Sequence, residues 1–120
     1  MAALKNDNGQ ADAADPIERF GCRPAFQGLI YPGNPTAIAP VKDSPPAFLL
    51  GGEKDKPDMT EGLANAYIAF EKAGVPTDLH IYTGVGHGFG LRPSAKGAIA
   101  DWPQRFYDWL KDRKFLNKQN

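Results

Sequence analysis

A chain of 120 residues, 42% hydrophobic and 23% charged, has the size and make-up of one globular domain. Fourteen Lys and Arg balance fourteen Asp and Glu, and no basic run supplies the electrostatic footprint of a nucleic-acid surface. The lone Cys22 excludes an intrachain disulfide, and no apolar run is long enough for a membrane span or a secretory leader, so a reducing, cytoplasmic setting with no membrane partner is expected.

Residues 1–14 are small and polar without periodicity and are expected to form a flexible arm. Ordered structure is expected from Asp15 to about residue 115, beginning with a helical turn at Asp15-Pro16-Ile17-Glu18-Arg19-Phe20, with residues 116–120 as a tail. Residues 26–32 are a short apolar run closed by Pro32-Gly33-Asn34-Pro35, which reads as a strand and a turn. Four prolines across 33–46 predict a loop. Ala47-Phe48-Leu49-Leu50 predicts a second strand stopped by Gly51-Gly52, and its unbroken apolar run suits a strand covered on both faces. Asp58 with Glu61 fits a capping box opening a helix whose stripe is Leu63, Ala66, Tyr67, Phe70 and Ala73, ended by Gly74 and Pro76. Residues 78–83 read as a third strand. The last helix starts near Asp101 with Pro103 in its first turn and packs Trp102, Phe106, Trp109 and Leu110 inward. Lys111, Arg113, Lys114 and Lys118 complement its C-terminal end and keep the tail soluble. There is no internal repeat. Strand, strand, helix, strand, helix predicts an α/β fold: a small three-layer unit on a largely parallel sheet of about three strands.

Chemistry concentrates where strands end. Gly84-Val85-Gly86-His87-Gly88-Phe89-Gly90 follows the third strand and carries one imidazole among glycines, the residues that tolerate tight loop conformations. Asp55 follows the second strand. Functional side chains of open α/β sheets gather at the carboxyl ends of the strands, and neighbouring strands lie roughly 4.8 Å apart. Asp55 and His87 are therefore expected within reach of each other. A carboxylate on one imidazole nitrogen fixes the tautomer and leaves the other nitrogen as a general base. Other candidates carry plainer readings. His80 lies between Leu79 and Ile81 and reads as structural. Cys22 reads as a buried or half-buried structural thiol. The only serines are Ser44, at the wrong end of the sheet, and Ser94, seven residues past His87 and the substitute candidate for a nucleophile. No metal or cofactor is called for.

Residues 15–113 resemble the C-terminal part of α/β-hydrolase esterases of the acetyl-xylan and feruloyl esterase type, and are similar also to dienelactone hydrolases. The resemblance runs through Asp15 to Phe20, Arg23-Pro24-Ala25-Phe26, Leu29-Ile30-Tyr31-Pro32, Pro45-Pro46-Ala47-Phe48-Leu49-Leu50, Ala73-Gly74-Val75-Pro76, Leu79-His80-Ile81-Tyr82 and Gly86-His87-Gly88-Phe89-Gly90, and ends at Trp102, Phe106 and Trp109-Leu110. It implies carboxylic-ester hydrolysis on a small-molecule ester, with His87 as triad base and Asp55 as triad acid. Two positions depart from the pattern: Asp58 and Met59 stand where valine and proline normally follow the acid. The Gly-x-Ser-x-Gly nucleophile elbow is absent. The resemblance thus implies a partial hydrolase domain, and the alternative to an active esterase is a catalytically silent module that assembles or complements. In either case the first strand would lack its upstream neighbour, and a bare apolar edge predicts a homo-oligomer.

Overall fold

The computed structural model describes residues 7–116. Its centre is a three-stranded, fully parallel sheet of β1 (Gln27–Ile30), β2 (Ala47–Gly52) and β3 (Thr77–Tyr82) in the order β1-β2-β3. Helix α1 (Pro57–Lys72) connects β2 to β3, and α2 (Trp102–Asp112) follows β3. The register aligns Leu29, Leu49 and Leu79 across the three strands.

Side chains alternate faces along a strand, and this builds two cores. Ala47 and Leu49 of β2 meet Leu63, Ala66 and Phe70 of α1, with Ile38 and Val75 closing the cluster. Phe48 and Leu50 point the other way and meet Trp109 of α2, with Phe26, Phe89, Trp102, Phe106, Leu110 and Phe115 around them. Every residue of β2 is buried, as its unbroken apolar run predicts. Phe48, Phe70, Leu49, Leu50 and Leu63 are the large side chains almost wholly removed from water, each contributing about 1.5–3 kcal/mol by burial. The aromatic stripe of α2 is core: Phe106 and Trp109 stack at 5.9 Å, and Phe48 lies against both.

Both helices end the same way. Gly74, at φ +72°, donates to Glu71 O while Val75 N donates to Phe70 O, the pair of bonds of a Schellman stop. At the end of α2, Lys114 takes the left-handed position (φ +61°), with Lys114 N on Lys111 O and Phe115 N on Leu110 O. The second stop carries no glycine to announce it in the sequence.

Three local expectations need correction. Helix α1 has no capping box: it begins at Pro57 with Lys56 as its cap residue, and no side chain caps it. Proline's fixed φ starts the helix one residue before Asp58, so Asp58 is already helical and acts only as an acid in the first turn. Gly51 and Gly52 do not stop β2; they pair with Ile81 and Tyr82. Residues 33–46 are not featureless, because Pro35–Ala37 form a 3-10 turn packed on α1, and Pro35 is buried.

The expected turn near Asp15 is a 3-10 helix, Pro16–Arg19, with the Asp15 carboxylate accepting from Ile17 N. Of the expected arm, residues 1–6 lie outside the described residues. Residues 7–14 run back along this turn, with Gln10 N donating to Glu18 O and Cys22 N to Asp7 O. Lys118 and most of the expected tail also lie outside the described residues. Among the described residues no helix is long and apolar enough to cross a membrane.

Candidate functional site

The carboxyl ends of β2 and β3 are stitched together by main-chain N–H bonds. Glu53 N donates to Tyr82 O at 2.9 Å, Lys54 N to Val85 O at 2.8 Å, and Gly84 N to the Glu53 carboxylate at 3.0 Å. Gly52 makes this approach possible. A Cβ there would collide with the Val85 carbonyl and lie 2.9 Å from Gly86 O, all main-chain atoms that cannot swing away. In the loop beyond, Gly84 and Gly88 adopt φ of +77° and +68° on either side of His87, which L side chains rarely tolerate.

Those two loops bring Asp55 and His87 together. Asp55 Oδ2 lies 2.7 Å from His87 Nδ1, across 32 residues of sequence. The Asp55 side chain is only 7% exposed while the His87 ring is half exposed. The carboxylate is held from behind: its Oδ1 accepts from Lys56 N at 2.8 Å, and Asp55 N donates to Gly52 O. An ionised carboxylate only accepts, so in the neutral ring this contact places the proton on Nδ1 and leaves the lone pair on Nε2. A cleft of about 440 Å³ opens at this point, lined by Gly33, Lys54, Asp55, Lys56, Met59 and His87, a size that suits a small-molecule ligand. The pair thus sets a hydrogen-bonded imidazole in the wall of a cleft.

The hydroxyl and thiol candidates are not part of this arrangement. Ser44 is buried before β2, where its Oγ accepts from Val41 N at 2.9 Å. Ser94 is exposed in the loop after His87 and does not line the cleft. Cys22 is exposed rather than buried, correcting the expected burial: it sits in the N-terminal segment, which lies over no core, and its Sγ accepts from Asp7 N. Among the described residues no group of three or more His, Cys, Asp or Glu could hold a metal ion.

One residue at the rim escapes a reading by motif. Tyr31 is the residue after β1, and its ring lies edge-on to His87 at 5.1 Å and to Phe89 at 4.8 Å. Beyond its place in the Leu29-Ile30-Tyr31-Pro32 run, its signal is positional: it follows the first strand as Asp55 and His87 follow the second and third.

His80 lies within β3, below the rim, on the α2 face of the sheet. It stacks on Phe48 at 4.8 Å, with Asp78 4.0 Å away. Burial pushes its imidazole below the ordinary 6.5, with Arg105 acting in the same direction and Asp78 opposing both. The fold therefore favours the neutral His80 ring, and the unfolded chain takes up a proton more readily. That contribution to stability is complete above pH 6.5 and is lost as pH falls below it. Thermal melts at pH 7.5 and 5.5 should show a larger drop for the native chain than for His80→Gln; equal drops would contradict this.

Residues 22–114 match the model of the dienelactone hydrolase family. Among solved structures, the chain is similar to the acetyl ester-xyloside bifunctional hydrolase from Caldicellulosiruptor lactoaceticus, with a TM-score of 0.84 and 25% identity over 96% of this chain. It spans about half of that protein, 52% of its length. No curated protein matches the chain. The α/β-hydrolase fold of the structural neighbour is the one seen here as a three-stranded parallel sheet between helices.

Proposed function

Because this chain belongs to the dienelactone hydrolase family, we propose that its His87–Asp55 pair serves the hydrolysis of carboxylic esters, short-chain or carbohydrate-linked. The observation that carries this reading is the 2.7 Å contact between Asp55 Oδ2 and His87 Nδ1 at the mouth of the cleft. The acetyl ester hydrolase it resembles supports the ester class.

His87 Nε2 takes the proton of an attacking hydroxyl or water as the new oxygen–carbon bond forms at the acyl carbon. The imidazolium then returns that proton to the leaving alcohol as the carbon–oxygen bond breaks; where a hydroxyl attacked, water repeats both transfers on the acyl intermediate, releasing the acid and restoring the hydroxyl. Asp55 stabilises the imidazolium between these steps and keeps Nδ1 as the donor. The cleft residues include no serine, threonine or cysteine, so the nucleophile is water activated by His87 or a hydroxyl brought to the cleft, with Ser94 as the substitute candidate.

An organophosphonate probe followed by peptide mapping tests this without presupposing the nucleophile. A label on a hydroxyl that disappears in His87→Ala is expected where a hydroxyl attacks, and no label beside turnover that His87→Ala abolishes where water attacks. A label of equal extent in that variant would overturn it.

A second reading is favoured by the sheet itself. Among the described residues, strand β1 has a neighbour only on its β2 side. Gln27 N and Tyr31 N point to β2, onto Pro46 O and Leu50 O, so the alternating ladder turns Gly28 and Ile30 outward. The chain also spans half of the hydrolase it resembles. In this reading the edge accepts a strand from another polypeptide, either a second copy or a nucleophile-bearing hydrolase portion. An unlabelled chain that turns over ester only after that portion is added separately would favour it over the first reading.

A further inference from the structure

We infer that Tyr31 is a positioning residue for His87, acting through its ring as a wedge that confines the imidazole; this rests on the reading of His87 as a base.

Tyr31 is held in a conformation that its sequence disfavours twice. Its φ is +35°, in the left-handed region that L residues avoid. It also precedes Pro32, and a residue before proline is driven to extended angles by the pyrrolidine ring. Such a conformation persists only where the surroundings impose it, and these cases cluster at functional sites. Here the surroundings are visible. Tyr31 N donates to Leu50 O at 2.7 Å, which pins the main chain to β2. The turn that follows brings Gly33 into the wall of the cleft that His87 also lines.

The ring is braced from behind. Phe89 lies 4.8 Å from Tyr31 at 82°, Trp102 lies 6.3 Å from Phe89 at 70°, and Trp102 Nε1 donates to Gly90 O at 3.0 Å. A chain of aromatic contacts thus runs from α2 to the imidazole. His87 needs this because its other restraint is a single hydrogen bond. The bond to Asp55 favours the proton on Nδ1, but one contact on a half-exposed ring leaves the imidazole able to swing about its Cα–Cβ and Cβ–Cγ bonds, which breaks that bond and frees the tautomer. The Tyr31 ring, at 5.1 Å and 63°, blocks that rotation. An off-line base loses rate steeply, since a displacement on the order of 1 Å can cost a hundredfold.

The test reads His87 directly, so it can fail while the esterase reading stands. Nitrogen-15 shifts of the His87 ring report its tautomer and its bond to Asp55 in the native chain, in Tyr31→Phe and in Tyr31→Gly. Glycine accepts the positive φ, which keeps the turn while removing the ring. The expected result is a mixture of tautomers in Tyr31→Gly with shifts preserved in Tyr31→Phe, and a tenfold to hundredfold loss of kcat with little change in KM for the glycine variant alone. Native shifts in Tyr31→Gly would overturn the inference. So would a Phe variant that behaves like the Gly variant, because the effect would then lie in the hydroxyl.

Discussion

Asp55→Asn should reduce ester turnover by about 10⁴-fold while leaving the fold intact. The reason is a reversal of one hydrogen bond. In Asp55, Oδ1 accepts from Lys56 N and Oδ2 faces His87 Nδ1. Asparagine can keep its carbonyl oxygen on Lys56 N, and its amide then donates where Oδ2 accepted. Nδ1 must become the acceptor, the proton moves to Nε2, and the ring presents an N–H to the cleft instead of a lone pair. Shape, charge at the lysines and core packing stay unchanged. Turnover of a short-chain nitrophenyl ester, measured beside a thermal melt, separates the two effects. A variant that melts like the native chain and loses activity is expected; full activity in it would remove Asp55 from the role.

Gly52→Ala should have the largest effect on stability, about 3 kcal/mol, at the upper end of what overpacking ordinarily costs. The added methyl meets the Val85 carbonyl and Gly86 O rather than a flexible side chain. Main chain must move, and the main chain concerned is the loop that carries His87. The bonds from Glu53 N to Tyr82 O and from Lys54 N to Val85 O would be strained together. Loss of stability and loss of the Asp55–His87 contact should therefore appear in the same variant. Gly86→Ala is the control: a Cβ there meets only Lys54 O at 3.9 Å, and near-native stability is expected. Chemical denaturation of the two variants checks the pair, and equal midpoints would contradict it.

How much of this is written in the sequence follows from the range of each interaction. The strands were legible because Ala47-Phe48-Leu49-Leu50 and Leu79-His80-Ile81-Tyr82 are local runs whose pattern survives without context. The meeting of Asp55 and His87 could be read because parallel neighbours put their carboxyl ends at one rim, and each residue lies a few positions past its strand. What depended on tertiary contact was missed. Gly51-Gly52 looks like a stop, yet both stay in the ladder because Leu63 and Val85 press too closely for any side chain. Asp58 and Glu61 have capping-box spacing, yet Pro57 moves the helix start ahead of them. The left-handed angle of Tyr31 has no local signature, since the residue before a proline is expected to be extended. The aromatic chain from Trp102 through Phe89 to Tyr31 joins three separate elements that share no sequence period.

The proposal that His87 is the base of an ester hydrolase is tested most directly by the turnover of a short-chain nitrophenyl ester in the native chain and in His87→Ala. The expected result is measurable hydrolysis by the native chain that falls to background in the variant. Equal turnover in the two would contradict it.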